Sequence, residues 1–258
     1  MLKTKDKNNR SLRIYIALIF TLAILAAINV FLPQGNFVSM QELPASRPVM
    51  AIVTFFAILL IYGGLGYIGL RLSEKLGFVA IWDYDISSKQ RFLIPGVIGI
   101  LLGVFFILVD LLFSHYFALE KIPHPPFPTS LVASAVAGIG EEVIFRLFFI
   151  SFWVWLLSYV LLKNKYQNTT FWIVAILSAF AFTAAHLPSI MMVYDVRSMV
   201  AIPMPLLVEL FILNGILSLL AAWGMRKYGL LAAIGIHFWT DFVWHVVWGV
   251  IQHLNGKL

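Results

Sequence analysis

The stretch Gly140-Glu141-Glu142-Val143-Ile144-Phe145-Arg146 places two adjacent carboxylates and one arginine inside a long apolar run of the chain. A charged side chain near the centre of a bilayer costs at least about 2.5–3.5 kcal/mol, so such residues are rare and usually functional. Ionisable groups so close together need partners from other parts of the protein. The first question is therefore whether the surroundings of this stretch are lipid.

Composition favours a membrane protein. Of the 258 residues, 61% are hydrophobic and only 12% are charged, and the mean hydropathy is +0.93. A soluble domain is about 25% charged. We expect one integral membrane domain over residues 1–258, an all-α polytopic transmembrane helical bundle with a central polar cavity, because helices satisfy their own backbone in lipid. The absence of cysteine excludes disulfides and thiolate chemistry in this chain.

Seven apolar runs are long enough to cross the roughly 30 Å hydrocarbon layer. The fourth is longer than one crossing needs, so it is either a tilted helix or a broken pair, which would give eight segments. The predicted spans are 14–32, 49–70, 92–113, 129–162, 171–193, 203–225 and 230–251.

Basic residues around these spans fall mainly on one side. Thirteen lie in the N-terminal tail and the second, fourth and sixth connections, and four lie on the opposite side. The positive-inside rule therefore predicts a multi-pass cell-membrane protein with a cytoplasmic N-terminus and an outer C-terminus. The net charge of +6 is explained by this topology, and we expect no nucleic-acid partner. The larger group is Lys3, Lys5, Lys7, Arg10, Arg13, Arg71, Lys75, Lys89, Arg91, Lys163, Lys165, Arg226 and Lys227, and the smaller is Arg47, Lys121, Arg197 and Lys257.

Helical spacing groups the ionisable residues. His237 and Asp241 in the seventh span are four residues apart, so they share one face of a helix and point into the same cavity. Glu142 and Arg146 have the same spacing and are predicted to form an internal ion pair. Glu141, rotated about 100° from Glu142, is then free to face another group.

A further histidine, His186, lies near the end of the fifth span. Glu with His in a low-dielectric cavity can activate water, and a second His can donate a hydrogen bond to a developing oxyanion. Alternatively, Glu141, His186 and His237 could bind a zinc-like ion, because the ligand types are suitable. The chain has no His-Glu-x-x-His motif, and each histidine lies on a separate span.

The order Glu-Glu-x-x-x-Arg, Phe-x-x-x-His and His-x-x-x-Asn/Asp, each in its own span, resembles the CAAX-protease and bacteriocin-processing (CPBP, or Abi) family of intramembrane endopeptidases, which includes the type II CAAX prenyl endopeptidases. The resemblance covers roughly residues 130–250, and the motif-bearing core spans about 129–251. It implies hydrolysis of a peptide bond in a membrane-associated peptide or protein. Glu141 would activate water with help from His186, Glu142 and Arg146 would be structural or positioning residues, and His237 and Asp241 would stabilise the oxyanion.

One position departs from the family pattern, because many members carry Asn where this chain has Asp241. Asn can donate a hydrogen bond, whereas an ionised Asp cannot. Three interpretations follow: Asp241 is protonated, it orients His237, or it makes metal binding more plausible here. We favour a glutamate mechanism without a cofactor, with zinc as the alternative.

Other readings of the same residues remain open. Glu141, Glu142 and the histidines could form the relay of a proton- or cation-coupled carrier, or the chain could be a non-catalytic immunity or scaffold protein that binds a membrane peptide. Whichever function is assumed, the predicted depths of His186 and His237 in the membrane disagree. On ideal helices His237 lies about 10 Å and His186 about 22 Å into their spans. They can meet only if the fifth span starts later than residue 171, or if tilt and a broken fourth segment bring them together.

Overall fold

The computed structural model describes residues 2–35, 45–117 and 119–255. In these ranges seven helices are long and apolar enough to cross a membrane and there is no strand, which confirms the predicted all-α polytopic bundle. Lys257, one of the basic residues counted above, lies outside the described residues. The helices are α1 (Leu2–Asn29), α2 (Arg47–Lys75), α3 (Lys89–Phe117), α4 (Thr129–Leu161), α5 (Gln167–Val193), α6 (Met204–Tyr228) and α7 (230–255).

The helices differ in how much apolar surface they leave uncovered. In α2, Val53, Phe56 and Leu60 are 61%, 56% and 75% exposed, which suits a helix that faces lipid. The apolar stretch of α7 is the most buried of the seven and that of α2 the least. The bundle is therefore built around α7, which carries His237 and Asp241.

The long fourth run is one continuous helix, so the broken-pair interpretation does not hold. Within α4, the stretches Glu142–Ile150 and Trp155–Leu161 are π-helical, and in α7 the stretch Phe242–Trp248 is π-helical. π-helical turns are rare and often occur at functional sites. In these two helices the change of winding begins directly after Glu141 or Asp241, whereas the π-helical stretches Ile58–Tyr62 of α2 and Lys89–Leu93 of α3 lie away from the motifs.

Glycines on α3 allow the backbone of this helix to approach α7 closely behind the motif residues. A Cβ at Gly99 would lie 2.5 Å from the carbonyl oxygen of Ile236, and one at Gly103 would lie 2.6 Å from Cβ of Val243. Thr240 Oγ1 also donates a hydrogen bond to Gly99 O at 3.2 Å. Small residues at such contacts let membrane helices pack backbone to backbone. This contact fixes the rotation of α7 and hence the direction of His237.

One end of the bundle, here called the basic end, gathers the start of α1, the connection 76–88 and the turn between α6 and α7. Ser11 Oγ accepts a hydrogen bond from Trp82 N at 3.1 Å, and Gln167 Nε2 donates to Leu76 O at 2.8 Å. Gly229 has a φ of +91°, which glycine adopts readily, and a Cβ there would lie 2.6 Å from Ala80 O. The connection 76–88 therefore covers the beginning of α7.

The opposite end gathers the connections that precede α2, α4 and α6. Thr129 Oγ1 donates a hydrogen bond to Pro33 O, and Tyr194 Oη donates to Glu120 O at 3.4 Å. Between α3 and α4, Ile122 N donates to Asp110 Oδ1 at 3.0 Å. The connection 119–128 is thus held against α3 and lies over the middle of this end.

Candidate active site

The structure brings together the four residues that the sequence analysis predicts to be catalytic. Glu141 from α4, His186 from α5, and His237 and Asp241 from α7 all line one cavity of about 270 Å³. Most of the cavity wall is apolar, with residues such as Phe106, Leu213 and Trp244. The polar lining groups are the four predicted residues together with Ser134, Ser189, Asn214 and His245, so a few polar groups lie in a mostly apolar wall, as in many ligand sites.

Glu141 occupies the centre of this polar group. Its Oε2 lies 3.9 Å from His186 Nε2 and 3.8 Å from His237 Nε2. Both distances are too long for direct hydrogen bonds. Oε2 is buried and has no hydrogen-bond partner in the described residues, although the side chain as a whole is 30% exposed. A buried carboxylate oxygen without a partner is costly, so the site is arranged to receive a further hydrogen-bond donor.

The position of the proton on His186 follows from its neighbour. Nδ1 lies 2.8 Å from the carbonyl oxygen of Phe182, which can only accept, so Nδ1 carries the hydrogen. In the neutral ring the lone pair is then on Nε2, the atom that faces Glu141. Two hydrogen-bond acceptors therefore face each other across 3.9 Å.

His237 lies between carboxylates. Its Nδ1 is 2.7 Å from Glu142 Oε1, so Nδ1 donates to that carboxylate, and the imidazole is only 2% exposed. Its Nε2 lies 3.4 Å from Asp241 Oδ2, which places the two side chains on one face as their spacing predicts. Glu142 thus fixes the orientation of the ring and Asp241 is the nearest carboxylate to its other nitrogen.

The predicted ion pair of Glu142 and Arg146 is present and completely buried. Arg146 Nε lies 3.1 Å from Glu142 Oε2, and both side chains are 0% exposed. No side-chain nitrogen of Arg146 has a hydrogen-bond partner in the described residues, but its guanidinium lies 4.5 Å from the ring centre of Phe182. The same ring contacts His237 at 5.8 Å between centroids. Phe182, from the Phe-x-x-x-His motif, therefore supports the charged pair and the two imidazoles together.

The depth problem is resolved by the beginning of α7. Ala233, in its first turn, packs in one buried cluster with Val174 and Ala175 of α5, so the two helices do not start at the same level. The connection 76–88 covers the start of α7, whereas α5 begins nearer to the bundle end. His186 also turns back along its helix to Phe182. α5 begins at Gln167, before the predicted residue 171, and α4 is continuous, so a later start of the fifth span and a broken fourth segment are both excluded. Counting residues from a common boundary was therefore wrong for this pair.

A metal site is a separate question. Among the described residues, no group of three or more His, Asp or Glu side chains is arranged to hold a metal ion. Around a tetrahedral zinc with ligands at about 2.0–2.1 Å, donor atoms lie about 3.3–3.4 Å from each other. The separations of 3.8 and 3.9 Å at Glu141 are wider than this. As arranged here, the residues do not fit the ion.

Two further acidic residues inside spans were missed by the sequence analysis. Asp110 in α3 is 1% exposed and Glu209 in α6 is 2% exposed. Each lies in an apolar run, so the rule that singled out Glu141 applied to them as well. Asp110 holds the connection 119–128 through Ile122, which places this acid behind the cavity wall rather than among the reacting groups.

A pair of histidines lies at the rim of the cavity. Nδ1 of His124, in the connection 119–128, is 3.1 Å from Nδ1 of His245 in α7, so one ring donates to the other. Burial, and then the neighbouring His245, depress the pKa of His124 to about 2. His245 also lines the cavity. The pair therefore ties the connection to α7 with an uncharged hydrogen bond.

Comparison with known protein families identifies the part of the chain that forms the site. Residues 123–243 match the model of the family described as type II CAAX prenyl endopeptidase Rce1-like. No curated protein and no solved structure gives a significant match. The match begins in the connection before α4, ends within α7 and includes all six residues assigned above. It confirms the family resemblance predicted from the three motifs, over a little under half of the chain.

Proposed function

We propose that this protein is an intramembrane endopeptidase that hydrolyses a peptide bond of a membrane-associated peptide or protein. The family match supports the broader statement, an intramembrane protease of the CAAX type. One observation carries the finer proposal: Oε2 of Glu141 is buried, has no hydrogen-bond partner in the described residues and faces two imidazoles in a mostly apolar cavity.

The proposed nucleophile is a water molecule held by Glu141 and His186. Both groups present acceptors, the carboxylate oxygen and Nε2, and they are 3.9 Å apart. One water can donate a hydrogen bond to each of them, and its oxygen lone pair then points away from both. That is the orientation needed to attack a carbonyl carbon in the cavity.

In the reaction, the water oxygen forms a bond to the carbonyl carbon while one water proton passes to Glu141. The tetrahedral intermediate carries a negative oxygen, and His237 donates to it through Nε2 when the ring is doubly protonated. Glu142 at Nδ1 and Asp241 near Nε2 balance that charge. The oxyanion then re-forms the carbonyl double bond as the bond from carbon to nitrogen breaks, and the proton held by Glu141 passes to the leaving amine.

In this proposal Asp241 orients His237, and no step passes through a metal. An ionised carboxylate can only accept, so its distance of 3.4 Å from Nε2 suits a partner of a donating imidazole. The wide spacing around Glu141 favours a bridging water over a zinc ion. Zinc remains the alternative that the experiment must decide.

The test uses purified protein in detergent and a library of membrane peptides. One half is treated with a strong chelator and its metal content is measured by elemental analysis, and Glu141→Gln serves as the blank. Cleavage that needs Glu141 and survives metal removal supports the proposal. Cleavage lost with the metal and restored by zinc makes Glu141, His186 and His237 ligands instead. No cleavage in either half would contradict the proposal and favour a scaffold or carrier.

A further inference from the structure

The cavity occupies only one half of the bundle, the half opposite to the basic end. In α4, which begins at the opposite end, the lining residues run from Ala133 to Glu141, and in α5 they begin at His186 and continue to Ile190. The cavity also reaches Ile122 and Pro123 in the connection that lies over this end. Glu141 is therefore the inner limit of a space that extends toward the opposite end.

Towards the basic end the bundle is closed. Beneath His237 lie the fully buried Glu142 and Arg146, and below them is a cluster whose members are 0–6% exposed. The connection 76–88 packs over this cluster through Phe78. The cluster consists of Leu76, Phe78, Ile150, Val154, Phe171, Val174, Ala175, Ala221, Ala222, Met225 and Ala233. Water and peptide have no path to Glu141 through packing of this density.

The two ends also differ in charge, and this relates the cavity to the sides of the membrane. Among the basic residues whose side chains the structure describes, eleven belong to the elements of the basic end, against three at the opposite end. Lys7 and Asp83 form an ion pair there at 3.1 Å, and Arg10 and Arg91 both lie over the ring of Trp82. By the positive-inside rule the basic end is cytoplasmic.

We infer that the catalytic cavity opens to the outer side of the membrane and that the substrate is a peptide segment presented from that side. The inference rests on the proposed function for the cleavage step but not for the side of access. A cytoplasmic C-terminus of the CAAX kind would meet the closed end of the bundle.

The walls of the cavity indicate the chemical class of this peptide. They are mostly apolar, and their charged groups are the carboxylates Glu141 and Asp241, with neither lysine nor arginine among the described lining residues. A free terminal carboxylate placed there would lie beside the carboxylates Glu141 and Asp241, and no lysine or arginine of the described lining would offset this repulsion. The cavity therefore suits an internal, apolar segment of an exported or membrane-anchored peptide.

The chain has no cysteine, so single cysteines report the side of access without background. Ser189→Cys places a thiol on an exposed lining residue of the cavity, and Ser88→Cys places one on an exposed residue at the basic end. The two variants are matched in chemistry. Intact cells are treated with a membrane-impermeant maleimide, and a second sample is permeabilised first.

We expect Ser189→Cys to be labelled at least tenfold more than Ser88→Cys in intact cells, and both to be labelled alike after permeabilisation. Preferential labelling of Ser88→Cys, or no labelling of Ser189→Cys in intact cells, overturns the inference. Ala133→Cys, a second lining position, guards against an unreactive thiol at a single site.

A second arm connects access with cleavage. Protein is reconstituted in vesicles and apolar peptides are supplied on one side at a time, with orientation read from Ser189→Cys labelling. The inference is supported if peptides are cleaved only on the side of Ser189, and if the maleimide adduct of Ser189→Cys blocks cleavage at least tenfold while that of Ser88→Cys does not. Cleavage only from the other side refutes it. If no peptide is cleaved, the proposed function fails while the labelling result still decides the side.

Discussion

Glu141 and Glu142 are neighbours in sequence but lie in two regions of the site with opposite surroundings. The dry region contains Glu142 and Arg146, both 0% exposed, and the cavity region contains Glu141, which is 30% exposed. In the dry region the two charges pair with each other at 3.1 Å, whereas Oε2 of Glu141 lies 3.8 and 3.9 Å from its two imidazole neighbours. The comparison teaches that solvent access, rather than residue type, separates a holding carboxylate from a reacting one.

Removal of the reacting carboxylate is the most direct test of the difference between the two regions. Glu141→Gln keeps the shape of the side chain but removes its ability to take a proton, so we expect cleavage to fall by roughly 10²–10⁴-fold. Because Glu141 faces the cavity and pairs with no fixed cation, the thermal midpoint in detergent should stay unchanged. The measurements are the single-turnover cleavage rate and the midpoint on the same preparation. Full activity in Glu141→Gln would remove the assigned role.

The opposite result is expected in the dry region. Arg146→Ala leaves Glu142 buried without its cation, and breaking a buried ion pair in this way costs about 3–5 kcal/mol. The unfolding free energy in detergent measures the effect. Arg71→Ala is the matched control, because Arg71 pairs with Glu74 at 2.8 Å but is 58% exposed, and an exposed pair contributes about 1 kcal/mol or less. Equal losses in the two variants would contradict the division into a dry and a cavity region.

How much of this could be predicted from sequence depends on whether an interaction is local. The pair of Glu142 and Arg146 followed from helical spacing alone, and so did the shared face of His237 and Asp241. The hydrogen bond from His237 to Glu142 joins residues 95 positions apart, and no local pattern indicates which of two adjacent carboxylates it selects. That choice depends on the close contact of α3 with α7, which fixes the rotation of α7.

For a similar reason, the sequence could not predict how deep each histidine lies in the bundle or towards which end the cavity extends. A hydropathy pattern shows where a helix emerges from lipid into water. The start of α7 is instead covered by the connection 76–88, because Gly229 packs against Ala80. Protein covers the helix there, so no polar residue marks the level. Asp110 and Glu209 could have been found from the sequence. Each is an acidic residue within an apolar run, and such residues are rare in membrane spans and usually functional.

Substitution of Asp241 tests the cavity region further and should have a smaller effect. Asp241→Asn removes a negative charge near His237 Nε2 but keeps a carbonyl oxygen that can accept from it, and Asn is the residue found in many family members. We expect the cleavage rate to change by about tenfold or less, while Asp241→Leu, which cannot accept, should lose roughly 10²-fold. Comparison of the two rates measures the orienting role. A loss in Asn as large as in Leu would show that the charge itself is required.

The smallest effect concerns the rim, where the buried contact of His124 with His245 ties the connection 119–128 to α7. Burial and then His245 depress the pKa of His124 to about 2, whereas an unfolded histidine titrates near 6.5. Below pH 6.5 the unfolded chain therefore binds a proton that the folded protein does not, so stability is full above that pH and falls on acidification. One such proton contributes a slope of at most about 1.4 kcal/mol per pH unit.

His124→Gln removes this proton while its amide can still bond to Nδ1 of His245, so its unfolding free energy should decline less steeply between pH 6.5 and 5. Thermal or denaturant unfolding of the two proteins across that range measures the difference in slope. An identical slope would mean that His124 takes up its proton in the folded protein as readily as in the unfolded chain. The rim would then be open to water like the cavity, and the boundary between the two regions would lie deeper, at His237 and Glu142.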